Sequence, residues 1–571
     1  MGLFLLGTLI FFLIYLFVSS LTGSALVGSF VNILLGAGFG IATYLKYDYR
    51  GEPVYPIELA LIQDMDSLLA MIDTSRLIYV YIVIAGLILA FVLILILVRR
   101  LRPYQFMANT KKIVRLPILL VSLAMLVHIY FFNSDNNLAR SLYDNQADWQ
   151  VSDQIKNYKT NGYLAGFLYN LPSEAMPVQK DYSKEKIETL YKKYKDRADD
   201  INQSRQANLQ DTNIIYIMNE TFTDPKYLPG LEINKDPIPF FRQISQANSY
   251  GQVMGSTIGG GTAKSEFQVL TGISLEPFHP NYTEPYQQFL SNLDDFPSMV
   301  NYSKHQNLRV KALHPYLASF YNRTKAYEAL GFEEFIDQDK MSHSSKLFED
   351  SPFISDESTY EEIISMLKST EEKDFIHVVT MQNHQPYLDI YPEIEFELKE
   401  STDDDSASGY LQGLSYSDQA LAKLVADLDS LNEPYLILFW GDHGPAFYND
   451  LVDDGFDYYD LLKTPVMVYC SQSNQAHDLG LLSPIYLNNE VYKLLNLPVR
   501  PYDALLMDLQ EQLPVLGKGK YMQADSDQIY TSKDQLSEKS QSLLNDYHTL
   551  IYDLTTANNY GQELGFYDLD N

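Results

Sequence analysis

The stretch YLILFWGDHG, residues 435–444, joins six apolar residues to a polar turn. An apolar run of this length, bounded by turn residues, is typical of a strand that is buried on both faces of a sheet. The glycines on either side of Asp442 and His443 allow the backbone to turn directly after the strand. The sequence therefore predicts a buried strand whose carboxyl end presents a carboxylate and an imidazole.

Four further apolar runs repeat this pattern along residues 205–510, and segments of helix length separate them. Alternation of short buried strands with helices predicts an α/β fold in which helices flank a mostly parallel sheet. The predicted strands are IIYIM (214–218), LRVKAL (308–313), FIHVVTM (375–381) and PVMVYC (465–470).

Polar side chains follow several of these strands. Glu220, His314 and His384 come shortly after the first three runs, as Asp442 and His443 follow the run at 435–440. In parallel sheets ligands gather at the carboxyl ends of the strands. Two carboxylates and an imidazole, from Glu220, Asp442 and His443, suit Mn²⁺, Mg²⁺ or Zn²⁺. The alternative is that each is an ordinary surface acid or core histidine.

The segment IGGGTAKSEF, residues 258–267, resembles a phosphate-binding loop. Ile258 and Ala263 occupy the two positions where a nucleotide-binding loop requires glycine, which argues against nucleotide binding. Thr262 follows three glycines and opens a predicted helix, where free backbone amides favour an anionic phosphate. We therefore interpret Thr262 as a candidate nucleophile whose alkoxide a metal could stabilise. The alternative is that Thr262 only caps the helix.

Apolar runs near the amino terminus predict about four transmembrane helices, since each is nearly long enough to cross about 30 Å of hydrocarbon. The first run lacks a basic start and an Ala-x-Ala site, so we expect an anchor and not a signal peptide. The basic segment at 99–115 predicts a cytoplasmic loop, which places everything after residue 133 outside. The predicted spans lie at about 2–19, 24–45, 77–98 and 116–133.

These patterns divide the chain into four predicted segments. Residues 1–133 form the transmembrane region, 134–204 a connector with helical segments, 205–510 the catalytic domain, and 511–571 a C-terminal extension. The expected location is a cell membrane, with several spans and an extracytoplasmic catalytic domain.

Composition excludes several classes of function. The chain has 571 residues, and 73 acidic against 42 basic residues give a net charge of −31. This charge argues against nucleic acid as a partner. The single cysteine, Cys470, excludes an intramolecular disulfide and a cysteine-based zinc cluster. An external domain without disulfides suits the envelope of a Gram-positive-like bacterium.

Five motifs together resemble the lipoteichoic acid synthase and phosphoglycerol transferase family of the alkaline phosphatase/sulfatase superfamily. The resemblance covers roughly residues 205–510 and keeps the order of the family's motifs. The motifs are NETF (219–222), GGGTAKSEFQVLTG (259–272), HPYLASFYNRTKAYEALGF (314–332), MQNHQPY (381–387) and WGDHGPAFY (440–448).

The resemblance implies two sets of site residues. One set binds a catalytic divalent cation, typically Mn²⁺, and includes the nucleophile Thr262. In the other set, Arg323 can bind phosphate oxygens through its forked donors and His384 can act as general acid and base. The cation ligands would be Glu220, Thr262, Asp442 and His443, and the phosphoglycerol contacts would be His314, Arg323 and His384.

The resemblance also implies a membrane enzyme that transfers glycerol phosphate from phosphatidylglycerol, through a phosphothreonine intermediate, to an anionic envelope polymer such as lipoteichoic acid. Gly261, Tyr316 and Phe447 depart from the family's usual residues and leave the acceptor open. Alternatives are single glycerol phosphates placed on a wall polysaccharide or glycolipid, phosphoethanolamine transfer, and a non-enzymatic envelope scaffold. An arylsulfatase is excluded because Cys470 lacks the required sequence context.

Overall fold

The structure is a computed structural model. It describes residues 2–569, apart from 51–52, 57, 60–73, 102–111, 135, 150–153, 172–174, 206, 210, 229–231, 280–281, 291–292, 294, 398–403, 454 and 474–475. Most of the basic segment that predicts a cytoplasmic loop, residues 102–111, therefore lies outside the described residues.

The chain forms two compact units, Met1–Ser173 and Glu174–Asn571. In the first unit the most apolar helix, α1, packs against α2 and α4. An apolar cluster that includes Ile10, Phe132 and Leu168 is buried there. The described helices of this unit are α1 (Gly2–Thr22), α2 (Ala25–Arg50), α3 (Thr74–Leu101), α4 (Lys112–Tyr130), α5 (Leu138–Asp144), α6 (Gln154–Asn161) and α7 (Tyr163–Tyr169).

Two described segments, Gly2–Thr22 and Ala25–Tyr47, are long and apolar enough to cross a membrane. They coincide with the first two predicted spans. The third and fourth predicted spans fall on helices whose described apolar parts, Tyr81–Ile94 and Val114–Tyr130, are shorter. The amino-terminal unit can thus anchor the chain, and four spans stay a prediction.

The second unit contains an eight-stranded sheet in the order β4-β3-β5-β1-β6-β7-β2-β8. All neighbouring strands are parallel except β7, which runs antiparallel to both β6 and β2. A separate hairpin consists of β9 and β10. The strands are β1 (Asn213–Asn219), β2 (Ser249–Met254), β3 (Arg309–His314), β4 (Glu334–Asp337), β5 (Asp374–Val379), β6 (Tyr435–Gly441), β7 (Lys463–Cys470), β8 (Asp478–Leu482), β9 (Val515–Gly517) and β10 (Lys520–Met522).

Helices flank this sheet, as the alternating pattern predicts. One large apolar cluster joins strand residues such as Ile215, Ile376 and Ile437 to helix residues such as Ile363 and Leu421. The described helices of this unit are α8 (Lys184–Asn202), α9 (Pro239–Gln246), α10 (Thr262–Thr271), α11 (Pro285–Gln288), α12 (Met299–His305), α13 (Arg323–Leu330), α14 (Asp356–Lys368), α15 (Asp404–Ser430), α16 (Tyr448–Asp453), α17 (Tyr458–Leu461), α18 (Leu487–Leu494), α19 (Pro501–Gln512), α20 (Glu538–Thr555) and α21 (Tyr560–Glu563).

The register of the central strands positions the polar residues. Asn219 at the end of β1 pairs with Gly441 at the end of β6. The residues that follow, Glu220 and Asp442, therefore leave the sheet side by side. His314 ends β3, which is parallel to β5, so its side chain belongs to the same edge of the sheet.

We expect Gly441→Ala to destabilise the protein strongly, because a β-carbon at this position would lie only 1.9 Å from the carbonyl oxygen of Phe222. Relieving this overlap requires a backbone shift at the start of the Asp442 turn, and overpacking of this kind costs about 1–3 kcal/mol. Thermal unfolding of the purified protein measures the loss. At Gly517 a β-carbon would meet only ordinary contacts at 3.4 Å. Gly517→Ala is therefore the control, and an equal melting temperature for the two variants would contradict the expectation.

Candidate active site

Three side chains converge at the carboxyl ends of β1 and β6. Glu220, Asp442 and His443 are buried, and one ligand atom of each lies within 4.8 Å of the others. The Nε2 atom of His443 is 3.3 Å from Oδ2 of Asp442 and 3.7 Å from Oε1 of Glu220. The structure thus brings together three of the four residues predicted to bind the cation.

The hydrogen bonds around Asp442 leave one oxygen unused. Its Oδ1 accepts the backbone N–H groups of Thr221 and His443, each at 2.8 Å. Its Oδ2 is buried and has no hydrogen-bond partner among the described residues. A buried carboxylate oxygen without a partner is costly unless a cation binds there.

His443 is oriented toward the same point. Its Nδ1 lies 2.9 Å from the carbonyl oxygen of Gly444, and since a carbonyl only accepts, Nδ1 carries the proton. The lone pair on Nε2 therefore faces the two carboxylates. Imidazole rings that bind metals are commonly oriented by such a bond on the opposite nitrogen.

Electrostatics supports the same interpretation. Burial and the neighbouring Asp442 raise the pKa of Glu220, since two carboxylates away from water repel each other. A divalent cation would remove this repulsion, and the oxygen and nitrogen donors present suit such an ion. The residues therefore fit a divalent cation.

The glycine-rich segment is attached to this cluster by its backbone. The N–H of Gly259 donates to the carbonyl oxygen of Gly444 at 2.8 Å, and Ile258 forms a bridge with Gly444. Gly261 has a φ of 96° and is the N-cap of α10. Because Gly261 takes this position, Thr262 is the first residue of the helix, and the alternative that Thr262 only caps the helix is wrong.

The predicted phosphate-binding arginine lies in a buried network. Arg323 is 1% exposed and forms an ion pair with Glu266, with 3.2 Å between Nη2 and Oε2. Its Nη1 donates to Nε2 of His314 at 3.1 Å. The structure therefore brings His314 and Arg323 together. It also reveals Glu266, which the sequence interpretation missed although it lies one helical turn after Thr262.

His384 lies in the segment that follows β5. Its side chain is half-buried, packs edge-on against Phe353 at 5.3 Å, and donates from Nδ1 to the carbonyl oxygen of Gln385 at 2.7 Å. This bond places the proton on Nδ1 and leaves Nε2 as the nitrogen that can exchange a proton.

The C-terminal extension supports the glycine-rich segment, a contribution that no motif indicated. Lys520 at the start of β10 is buried, and its Nζ donates to the carbonyl oxygens of Gly255 and Ser256 at 2.8 and 3.1 Å. Burial, together with the charge of Lys264, lowers the pKa of Lys520 to about 7. The hairpin of β9 and β10 thus holds the backbone at Gly255 and Ser256, just before the glycine-rich segment that leads to Thr262.

Comparison with known proteins places this geometry in context. The sulfatase family model matches residues 212–497. A Rhizobium meliloti protein that is named for cyclic beta-1,2-glucan modification is 26% identical over 577 residues, covering 98% of this chain and 86% of that protein. A lipoteichoic acid synthase of Staphylococcus saprophyticus is 25% identical over 274 residues, covering 43% of this chain and 40% of that synthase.

Among solved structures, the phosphoglycerol transferase GacH of Streptococcus pyogenes in complex with sn-glycerol-1-phosphate is similar, with a TM-score of 0.62 and 25% identity. The similarity covers 70% of this chain and all of that one.

Proposed function

Because the chain belongs to the sulfatase family, we propose that it is a membrane-anchored phosphoglycerol transferase that takes glycerol phosphate from phosphatidylglycerol. The arrangement of Glu220, Asp442 and His443 around an unpartnered carboxylate oxygen carries this proposal. The similarity to a phosphoglycerol transferase that binds sn-glycerol-1-phosphate supports the choice of transferred group.

Four residues would hold the cation: Glu220, Asp442, His443 and the hydroxyl of Thr262. When bound, a divalent ion, Mn²⁺ by preference and Mg²⁺ or Zn²⁺ as alternatives, lowers the pKa of a coordinated hydroxyl and offsets charge on phosphate oxygens. Oxygens of Glu220 and Asp442 and the Nε2 of His443 would be the ligand atoms, and the ion would displace the proton that the raised pKa of Glu220 retains.

Thr262 is the proposed nucleophile. Thr262 enters the cycle deprotonated, its hydroxyl proton having passed to solvent, and is released in the same form. Its Oγ1 attacks the phosphorus of phosphatidylglycerol, a new P–O bond forms, and the bond between phosphorus and the diacylglycerol oxygen breaks. Diacylglycerol leaves into the membrane with a proton from His384. An acceptor hydroxyl then attacks the phosphothreonine, gives its proton to His384, and regenerates Thr262. Arg323, with His314 beside it, donates to the phosphate oxygens in both steps.

The membrane places the enzyme beside its lipid donor. We propose that residues 1–133 form about four spans, that 134–204 connect them to an external catalytic domain at 205–510, and that 511–571 extend this domain. A shared two-dimensional location raises the effective concentration of phosphatidylglycerol at the site.

The acceptor we propose first is an anionic envelope polymer such as lipoteichoic acid. A second candidate is a polysaccharide or glycolipid that receives single glycerol phosphates. The relative named for glucan modification favours this second candidate, since it matches 98% of this chain whereas the lipoteichoic acid synthase matches 43%.

Removal of divalent cations should stop the reaction. Purified full-length protein in detergent is incubated with fluorescent phosphatidylglycerol, and labelled diacylglycerol is measured. A metal contributes several kcal/mol to charge stabilisation, so chelation should lower the rate about 10³-fold. Added Mn²⁺ should restore it. A rate that is unchanged after exhaustive chelation would contradict the proposal that the reaction depends on a metal. Phosphatidylethanolamine, assayed in parallel as the alternative donor, shows whether the protein prefers it or phosphatidylglycerol.

A further inference from the structure

Glu266 occupies a distinctive place in the helix that begins with Thr262. It follows Thr262 by four residues, so the two side chains share one face of α10, one turn apart. Every residue of this helix is buried, and Glu266 itself is fully buried. A carboxylate in such a place is stable only when its charge is paired and hydrogen-bonded.

Both oxygens of Glu266 are engaged. Oε2 accepts from Nε and Nη2 of Arg323 at 3.3 and 3.2 Å. Oε1 accepts from the hydroxyl of Tyr327 and from Nε2 of His377, the latter at 3.3 Å. Burial alone would raise the pKa of Glu266, but the charge of Arg323 and the hydrogen bonds from His377 and Tyr327 outweigh burial and hold the pKa at about 2. Glu266 is therefore a carboxylate.

The opposite side of the guanidinium is fixed as well. His314 donates from Nδ1 to the carbonyl oxygen of Val379 at 3.0 Å, so its Nε2 accepts from Nη1 of Arg323. Burial and the charge of Arg323 lower the pKa of His314 to about 3, which keeps the ring neutral. Three donors of Arg323 are thus held by partners on two sides.

We infer that Glu266 is a positioning residue that orients the guanidinium of Arg323 relative to Thr262. The carboxylate of Glu266 and the hydroxyl of Thr262, the proposed nucleophile, lie on the same face of one buried helix, one turn apart. This inference rests on the proposed function, in which Arg323 contacts the phosphate. A guanidinium held by Glu266 on one side and His314 on the other presents its remaining donors in a fixed direction.

The pairing also changes what Arg323 contributes. Glu266 neutralises the positive charge of Arg323, so the pair offers directed hydrogen bonds and little net charge. Loss of Glu266 would leave a buried arginine without its counter-charge, free to turn toward other acceptors. We expect the phosphate to be held less well even though the arginine remains.

A double-mutant cycle in ligand binding tests this inference. The probe is sn-glycerol 1-phosphate, titrated calorimetrically into Mn²⁺-loaded full-length protein in detergent. Glu266→Gln keeps the volume and removes the charge, and Arg323→Lys keeps the charge and removes the fork. Each should weaken binding about 10-fold, and the double variant should bind no more weakly than Arg323→Lys, because residues acting through one another are not additive.

A matched control separates positioning from stability. Arg500, the N-cap of α19, and Asp503 in the first turn of that helix form another buried pair, with 2.7 Å between Nε and Oδ2. Asp503→Asn should lower the melting temperature as Glu266→Gln does, yet change the affinity for the probe by less than about twofold, because distant sites act independently. If Glu266→Gln does not fold, Glu266→Asp takes its place in the cycle. The aspartate keeps the negative charge, but its side chain is one methylene shorter, so the carboxylate lies farther from Arg323.

Three results would overturn the inference: additive losses in the double variant, wild-type affinity in the Glu266 variant, or no binding of the probe by the wild-type protein. The proposed function fails on different grounds. Wild-type protein that binds the probe but releases no diacylglycerol from phosphatidylglycerol would refute the lipid donor, while the cycle would still report on Glu266 and Arg323.

Discussion

Thr262→Ala removes diacylglycerol release from phosphatidylglycerol while the protein stays folded. We expect the rate to fall about 10⁴-fold or more, because loss of the attacking oxygen leaves no group to form the covalent intermediate. The helix should survive, since alanine is a strong helix former and Gly261, not Thr262, is the N-cap. Turnover of fluorescent phosphatidylglycerol and the melting temperature are measured together.

Thr271→Ala is the matched control, because Thr271 lies at the other end of the same helix. Its hydroxyl donates to the carbonyl oxygen of Phe267 at 2.7 Å and has no place in the proposed chemistry. The same hydroxyl accepts the backbone N–H of Ile273 at 3.1 Å. This variant should be less stable and retain turnover within about threefold, as expected for a hydroxyl whose two hydrogen bonds are both local. Equal turnover in the Thr262 variant and the wild type would exclude Thr262 as the nucleophile.

Asp442→Asn should abolish activity and leave the cation-free protein at least as stable as the wild type. The amide keeps an oxygen for the N–H groups of Thr221 and His443, and it removes one of two carboxylates that repel each other. Loss of an anionic ligand should lower the rate about 10³-fold, since a metal supplies several kcal/mol of charge stabilisation.

Thermal unfolding with and without Mn²⁺ measures the second part of this prediction. Mn²⁺ at 100 times its dissociation constant should stabilise the wild type by about 2.7 kcal/mol, and the Asp442 variant much less. Asp418 is the control, since it is also buried and accepts two backbone N–H groups, from Phe240 and Phe241. Asp418→Asn should keep the Mn²⁺ shift. Full stabilisation of Asp442→Asn by Mn²⁺ would contradict the assigned ligand.

The central part of the fold could be predicted because its strands are buried on both faces. The runs that contain Ile215, Ile376 and Ile437 are continuous and apolar, and each is a strand in the structure. Their parallel arrangement brings the polar residues after them to one edge. The α/β class and the grouping of Glu220 with Asp442 could be read from this pattern, whereas the family assignment depended on the resemblance of the five motifs.

Other features depend on partners that lie far away in the sequence. The direction of β7 is set by its pairing with β6 and β2, and an apolar run carries no sign of direction. The outer strand β8 and the short β4 have few buried residues, so no clear pattern marks them. Glu266 looks like an ordinary helix acid until Arg323, 57 residues later, is placed beside it.

The side chains of the candidate site, like the chain as a whole, carry too little positive charge to offset their acidic groups. Arg323 is neutralised by Glu266, and Glu220 and Asp442 add negative charge. An anionic lipid headgroup would therefore meet little fixed positive charge from these four side chains. In the proposed function a cation would supply most of the attraction, which is why its removal is expected to have so large an effect.

The most direct test of the account is to find the covalent intermediate. Mn²⁺-loaded full-length protein is incubated with phosphatidylglycerol without an acceptor, quenched in acid, digested, and analysed by mass spectrometry. We predict that glycerol phosphate is attached to Thr262, and that the adduct is absent after chelation and in Thr262→Ala. Diacylglycerol release with unmodified Thr262, or an adduct on another residue, would contradict the account.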